Sequence, residues 1–394
     1  MKLYNAKCES AARSVVLDDM ILTKDMPTTA GSKMLGGYMS LFDAEIISRL
    51  SEKGYSVSGK AAVGEFGIDL LGESSVDEAL IKDGAIINAS AEIVSAGDAV
   101  AAITLDVNGS TRRAAAQSGL ASIKPTYGTV SRFGTVPAAC SGECVSVTAK
   151  TAGECYELLS AISGHDGKDG TSLSDAQCKA ALEKSGAKKI CIVSDMLDGV
   201  SDEVKEKIDT AAKALQAAGV TVEKIDMPVL LLARAAWNIL MCAELCNNVS
   251  RYDGVKYGYR AENFLGIDEL YTKSRTEAFG KLLKTAIIYG SETLSTENYM
   301  KVYDKALRMR RVIVDSLNEL FAKYDAILMP ACSKMAYKAE DVTEDSCFVE
   351  NLYTAPASIS GMPSVVVGGV MLVGAHFSEG KLVSAAEIIE GEGK

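Results

Sequence analysis

The chain has 394 residues, 48% of them apolar and 24% charged, which is the balance of a folded globular protein long enough for one large domain or two to three ordinary ones. A formal net charge of −11 repels phosphate backbones and argues against general nucleic-acid binding. No uncharged apolar run of about 18 residues occurs, so the sequence predicts no membrane span. Residues 1–7 form no apolar leader, and the cysteines are scattered, so the expected setting is a reducing cytoplasm with free thiols.

Residues 43–53 read as a helix, with Ile46, Ile47 and Leu50 on one face and Gly54 as its stop. A short strand follows at 55–59, and 188–193 is a buried strand. Ser201 caps a helix whose apolar positions, Val204, Ile208, Ala211, Ala212 and Leu215, recur at helical spacing until Gly219. Residues 220–225 return as a strand. Helical patterns cover 230–249 and about 296–323. A strand at 325–329 ends at Pro330, and 365–373 supplies a late strand pair. The polar tail from about 387 is expected to fray. Helix and strand signals alternate without a linker or an internal repeat. They predict a single α/β domain over 1–394, with a large mixed sheet flanked by helices on both faces.

Two cysteine pairs, Cys140/Cys144 and Cys242/Cys246, have helical spacing, but His165 and His376 are the only histidines in the chain. A metal site needs more ligands nearby, so the cysteines and both histidines are read as structural and no metal is assigned.

Ser110 follows Asn108-Gly109 between an apolar run and an Ala-rich segment. Such a serine either caps a helix or sits on a tight turn, with its hydroxyl presented and backbone N–H groups forming an oxyanion hole.

The wider context bears on that choice. Lys124-Pro-Thr-Tyr-Gly-Thr-Val-Ser-Arg-Phe-Gly134, Val94-Ser-Ala-Gly97 and the run 105–115 resemble the signature region of the amidase-signature family. Within it, Thr28-Thr-Ala-Gly-Ser-Lys-Met-Leu35, Ser250-Arg-Tyr-Asp-Gly-Val-Lys-Tyr-Gly-Tyr259 and the run 269–280 resemble the A subunits of the amidotransferases that act on glutamyl-tRNA(Gln) and aspartyl-tRNA(Asn). The likeness spans about 12–386. The family's N-terminal helical segment is mostly missing, and the stretch from Asp18 to Ile86 is shorter than usual.

The resemblance implies a Ser–Ser–Lys triad: a nucleophilic serine, a relay serine and a buried lysine base, because a hydroxyl is a weak nucleophile without a proton acceptor. The nucleophile carries over to Ser110, with Val107, Asn108 and Gly109 as the oxyanion segment. Asn108 stands in place of a family glycine and is expected to tolerate a left-handed turn there. The relay serine falls on Ile86; Ser90 matches the last serine of the family's GGSSGGS block, which is not the relay. The catalytic lysine falls on Asp18. Lys60 matches a family lysine outside the triad. In the substrate pocket, the carboxylate-binding arginine falls on Ala286, which removes a bidentate clamp; the pocket aspartate falls on Asn351, and the pocket tyrosine lies near Trp237.

Removing one member of such a triad typically costs on the order of 10⁴ to 10⁶ in rate. The expectation is therefore a catalytically silent paralogue of the A subunits. The alternatives are a rewired amidase, in which Asp18 with a raised pKa or Lys24 serves as base, and a small-ligand or partner-binding module on the same scaffold. In the family, Mg²⁺ and ATP belong to a B subunit that also binds tRNA, and a small C subunit wraps between the two. No cofactor is assigned to this chain, and B-like and C-like partners are expected if its contact surface is kept.

Overall fold

The computed structural model describes residues 2–8, 13–75 and 79–391. The first third of the chain runs β1 (Tyr4–Lys7), β2 (Ser14–Asp18), α1 (Glu45–Glu52), β3 (Ser56–Ala61), β4 (Ile81–Lys82), β5 (Ala85–Ile86), α2 (Ala89–Ala96), β6 (Ala101–Asp106), α3 (Ser110–Ser118) and β7 (Ala121–Lys124). The middle runs β8 (Cys144–Ala149), α4 (Ala152–Ile162), α5 (Asp175–Ala181), β9 (Lys189–Val193), α6 (Asp202–Ala217), β10 (Thr221–Ile225), α7 (Leu232–Val249), α8 (Ile267–Ala278) and α9 (Lys281–Thr293). The last part is α10 (Asp304–Phe321), β11 (Ala326–Pro330), α11 (Ser346–Ser360), β12 (Ser364–Val367), β13 (Val370–Gly374) and α12 (Glu379–Glu390).

Eleven strands form one mixed sheet in the order β1-β3-β2-β6-β8-β7-β12-β13-β11-β9-β10, and β4 and β5 form a separate hairpin. β2 lies parallel between β3 and β6, with Leu17 opposite Ile103. Both β2 and β6 therefore deliver an aspartate, Asp18 and Asp106, at the same edge of the sheet. The carboxyl ends of parallel strands are where open α/β sheets place their ligands.

Most strands are buried on both faces, which explains their continuous apolar runs. α2 and α3 pack on β6, α4 on β7 and β8, and α12 on β12, while α7 packs against α9, α10 and α11. The segment Pro228–Val249 is long and apolar enough to cross a membrane by composition. Here it is a core helix that buries Trp237, Leu240, Met241 and Leu245.

Helix starts follow local capping chemistry. Ser201 Oγ accepts the Val204 N–H at 3.4 Å. Thr151 opens α4 with a reciprocal box: its Oγ1 accepts the Glu154 N–H at 3.2 Å, and Glu154 Oε2 accepts the Thr151 N–H at 3.0 Å. Thr151→Ala is expected to lower stability by about 1 kcal/mol, read from the midpoint of a urea melt.

Three expectations are corrected. The 296–323 helix begins with one wide π-helical turn, Tyr299–Tyr303, before α10. Pro330 lies inside β11, opposite Val370, rather than after it. The tail does not fray from 387: α12 continues to Glu390, because Ile388 and Ile389 pack on the core and the Glu390 carboxylate accepts the Ala152 N–H at 3.0 Å.

Candidate functional site

The turn from β6 into α3 is organised around one buried carboxylate. Asp106 accepts the Gly109 N–H at 3.0 Å, the Thr111 hydroxyl at 3.0 Å, and two guanidinium donors of Arg112 at 2.7 and 3.0 Å. Burial opposes ionisation of Asp106, but the charge and donors of Arg112 outweigh it and hold its pKa below the ordinary carboxylate value. Arg112 then anchors α11 through the Thr354 carbonyl at 2.9 Å and Ser358 Oγ at 2.7 Å.

Gly109 takes a left-handed backbone, φ 79°, and a Cβ there would lie 2.4 Å from Thr354, so only glycine fits. The left-handed residue of this turn is Gly109, and Asn108 does not take that conformation. Ser110 is the first residue of α3 and 5% exposed; Gly109 holds the cap position, so Ser110 is not the capping serine. Its hydroxyl stands at the helix N-terminus, where backbone dipoles favour developing negative charge.

Among the described residues, Ser110 Oγ makes no hydrogen bond to a lysine, carboxylate or histidine. Asp18, at the end of β2, is buried, but Ser90 Oγ at 3.2 Å and the Leu105 N–H at 3.2 Å occupy its oxygens. Burial pushes its pKa up to about 7, against those two hydrogen bonds. Ile86 sits in the β4–β5 hairpin, buried, with its N–H given to the Tyr337 carbonyl at 2.9 Å.

Two lysines singled out in the sequence are committed elsewhere. Lys60 is fully buried beside Asp19, at 3.6 Å, and hydrogen-bonds Thr28; burial lowers its pKa to about 8. Lys24 is exposed and pairs with Asp43 at 3.1 Å. The histidines face backbone carbonyls, His165 that of Leu173 and His376 that of Ser360, both at 3.1 Å.

The positions that the resemblance assigns to a substrate pocket carry no charged side chain. Trp237 is 1% exposed, donates Nε1–H to Asn108 Oδ1 at 3.3 Å, and packs so closely on Gly142 that a Cβ there would fall 2.2 Å from the indole. Asn108 also donates to the Ile68 carbonyl at 2.7 Å. The Asn351 amide reaches Asn238 at 2.6 Å and Asn108 at 2.7 Å. Ala286 is buried on α9 and presents no donor. Thus Trp237, Asn108 and Asn351 are brought together behind the Ser110 turn, and Asp18 is joined instead to Ser90.

Sequence reasoning missed Arg113. It is fully buried and donates to the carbonyls of Leu70 and Asp69 at 3.1 and 3.2 Å and to Thr354 Oγ1 at 3.2 Å. Neighbouring Asp69 was missed as well: burial, with Glu73 adding to it, pushes its pKa up to about 8. The doubled arginine at 112–113 is the only sequence signal that could have found this cluster.

Known proteins share this sequence pattern and this fold. The Amidase family profile matches residues 14–79 and 89–381. The break between the two matched segments falls on the hairpin that carries Ile86. The A subunit of glutamyl-tRNA(Gln) amidotransferase from Streptococcus pneumoniae serotype 19F is 34% identical over 400 residues, 95% of this chain and 82% of the relative. The corresponding A subunit of Thermotoga maritima is 33% identical over 399 residues, 95% of this chain and 83% of the relative. The crystal structure of a Thermotoga maritima A subunit superposes with a TM-score of 0.82 at 28% identity, over 98% of this chain and 87% of that one. On these matches, the chain belongs to the amidase-signature family.

Proposed function

We propose that the chain is a member of the family, similar to the amidotransferase A subunits, that no longer hydrolyses amides and keeps the scaffold for binding. The observation that carries the reading is the state of Ser110: a nucleophile position on an intact turn, with no acceptor for its proton among the described residues. A serine hydroxyl stays protonated at neutral pH unless a base takes the proton as it attacks. The position of the base holds Asp18, turned to Ser90, and the position of the relay holds a hydrocarbon. The neutral Asn351 and Ala286 supply no charge to clamp a substrate carboxylate. B-like and C-like subunits are the partners this reading suggests, in line with the relatives' being named as one subunit of an amidotransferase.

The test is release of ammonia from glutamine by the purified chain, alone and with a B-like subunit. Turnover is expected at least about 10⁴-fold below that of an intact relative, and a fluorophosphonate probe is expected to leave Ser110 unlabelled. Turnover near that of an intact relative, lost in Ser110→Ala, would overturn the proposal.

One observation favours a rewired site as a second reading: Asp18 has a pKa of about 7, in the range a general base needs. On that reading activity rises with pH through about 7 and disappears in Asp18→Asn.

A further inference from the structure

A cavity of about 560 Å³ has none of Ser110, Trp237, Ala286 and Asn351 in its lining. That volume falls within the range of pockets that take small organic ligands. Its apolar wall is Leu22, Met34, Leu35, Val136 and Pro137. Its polar groups include Arg251 and the phenols of Tyr38, Tyr252 and Tyr257.

Three features give this cavity a preference of charge. In a chain with 52 acidic residues, none of the described residues lining it is Asp or Glu. Arg251 makes no ion pair among the described residues; its Nε and Nη2 donate to the Asn248 carbonyl at 2.7 Å and Asn248 Oδ1 at 3.2 Å, which fixes the guanidinium and leaves its remaining donors unspent. Tyr252 is 6% exposed, and its hydroxyl makes no hydrogen bond among the described residues. That oxygen is not among the sealed, unpartnered polar atoms, so it stays accessible and can donate to a ligand.

The site is rigid. The Tyr252 ring packs on Phe66, 5.6 Å between centroids, and edge-on to Tyr257 at 6.1 Å. Phe66 itself has φ 52°, a strained backbone for a residue with a Cβ. Burial pushes the Tyr252 phenol up to about 12, with Arg251 pulling it down and Tyr257 and Tyr38 pushing it up, so the four groups share one neighbourhood.

We infer that this cavity binds a small carboxylate with an apolar or aromatic body, the carboxylate taken by Arg251 and the Tyr252 hydroxyl and the body lying on Met34, Leu35 and Val136. The inference does not rest on the silence of Ser110, because no group of that site takes part.

The experiment is calorimetric titration of the full chain with 3-phenylpropionate and with its neutral isostere, 3-phenylpropionamide. Saturable one-to-one binding is expected for the acid and weaker binding for the amide. Arg251→Gln should weaken the acid on the order of tenfold and leave the amide unchanged, since only the acid makes charge-assisted hydrogen bonds. Arg251 is exposed, so this variant keeps the packing of the fold. Tyr252→Phe should weaken both compounds several-fold. Absence of saturable acid binding, equal affinity for acid and amide, or an Arg251→Gln variant that binds the acid as well as the parent would each overturn the inference.

Discussion

Replacing Arg112 with methionine is expected to destabilise the protein by about 3–5 kcal/mol, the usual cost of leaving a buried charge without its partner. Arg112 and Asp106 are both fully buried, and the guanidinium meets the carboxylate through two donors at 2.7 and 3.0 Å. Methionine keeps most of the side-chain length but supplies no donor. Asp106 must then take up a proton or remain charged in the interior. The α11 anchors at Thr354 and Ser358 are lost at the same time. The double variant Asp106→Asn, Arg112→Met should cost much less than the sum of the two single changes, because it removes the uncompensated charge. Urea melts of the four proteins give the coupling energy directly. A single-variant cost below about 1 kcal/mol would show that the pair is not the organising element of the turn.

The second large effect is a change in the pH dependence of stability. Burial holds the Asp18 carboxyl at about 7 in the folded chain, against an ordinary value of 3.8. A carboxyl whose folded pKa is raised favours the fold while protonated. Its contribution is fully present below about pH 3.8 and lost as pH rises through about 7. In the Asp18→Asn variant the side chain is neutral at every pH, its amide oxygen accepting the Leu105 N–H and its nitrogen donating to Ser90. The variant is therefore expected to be more stable than the parent by on the order of 2–4 kcal/mol at pH 8, the gap narrowing to about 1 kcal/mol at pH 4.5. Glu65 and Asp69, pushed up to about 7 and about 8 by burial, act in the same direction in both proteins. Lys60, lowered to about 8, acts in the opposite direction, its contribution being lost as pH falls through that value. The difference between variant and parent isolates Asp18. Parallel stability curves from pH 4.5 to 8 would refute the assignment.

Much of the scaffold was legible in the sequence. The runs at 188–193 and 365–373 are apolar for most of their length because β9, β12 and β13 are buried on both faces, and the helical spacing after Ser201 reports the buried stripe of α6. Ser110 and Asp18 were singled out because they occupy fixed places in long motifs. What stayed hidden depends on groups brought together from far apart. Arg113 and Thr354 are separated by 241 positions, and Trp237 and Asn108 by 129, so nothing local announces either contact. The tail was misread for the same reason: its composition is polar, yet Glu390 is held by an N–H 238 positions away. Whether any base meets Ser110 could be examined only in three dimensions, where Asp18 is joined to Ser90.

The hairpin bearing Ile86 is pinned to a distant stretch of chain: Ile86 donates to the Tyr337 carbonyl, Ala85 pairs with Lys338, and the Gly84 carbonyl accepts the Ala339 N–H at 2.9 Å. If the chain is silent as proposed, reviving hydrolysis by point reversion is a poor route. A serine written in at position 86 would inherit a backbone path already committed to this strand pairing. An engineer would have to transplant the whole loop from an active cousin and redesign the 337–339 stretch that now grips it, before a lysine at position 18 had anything to work with.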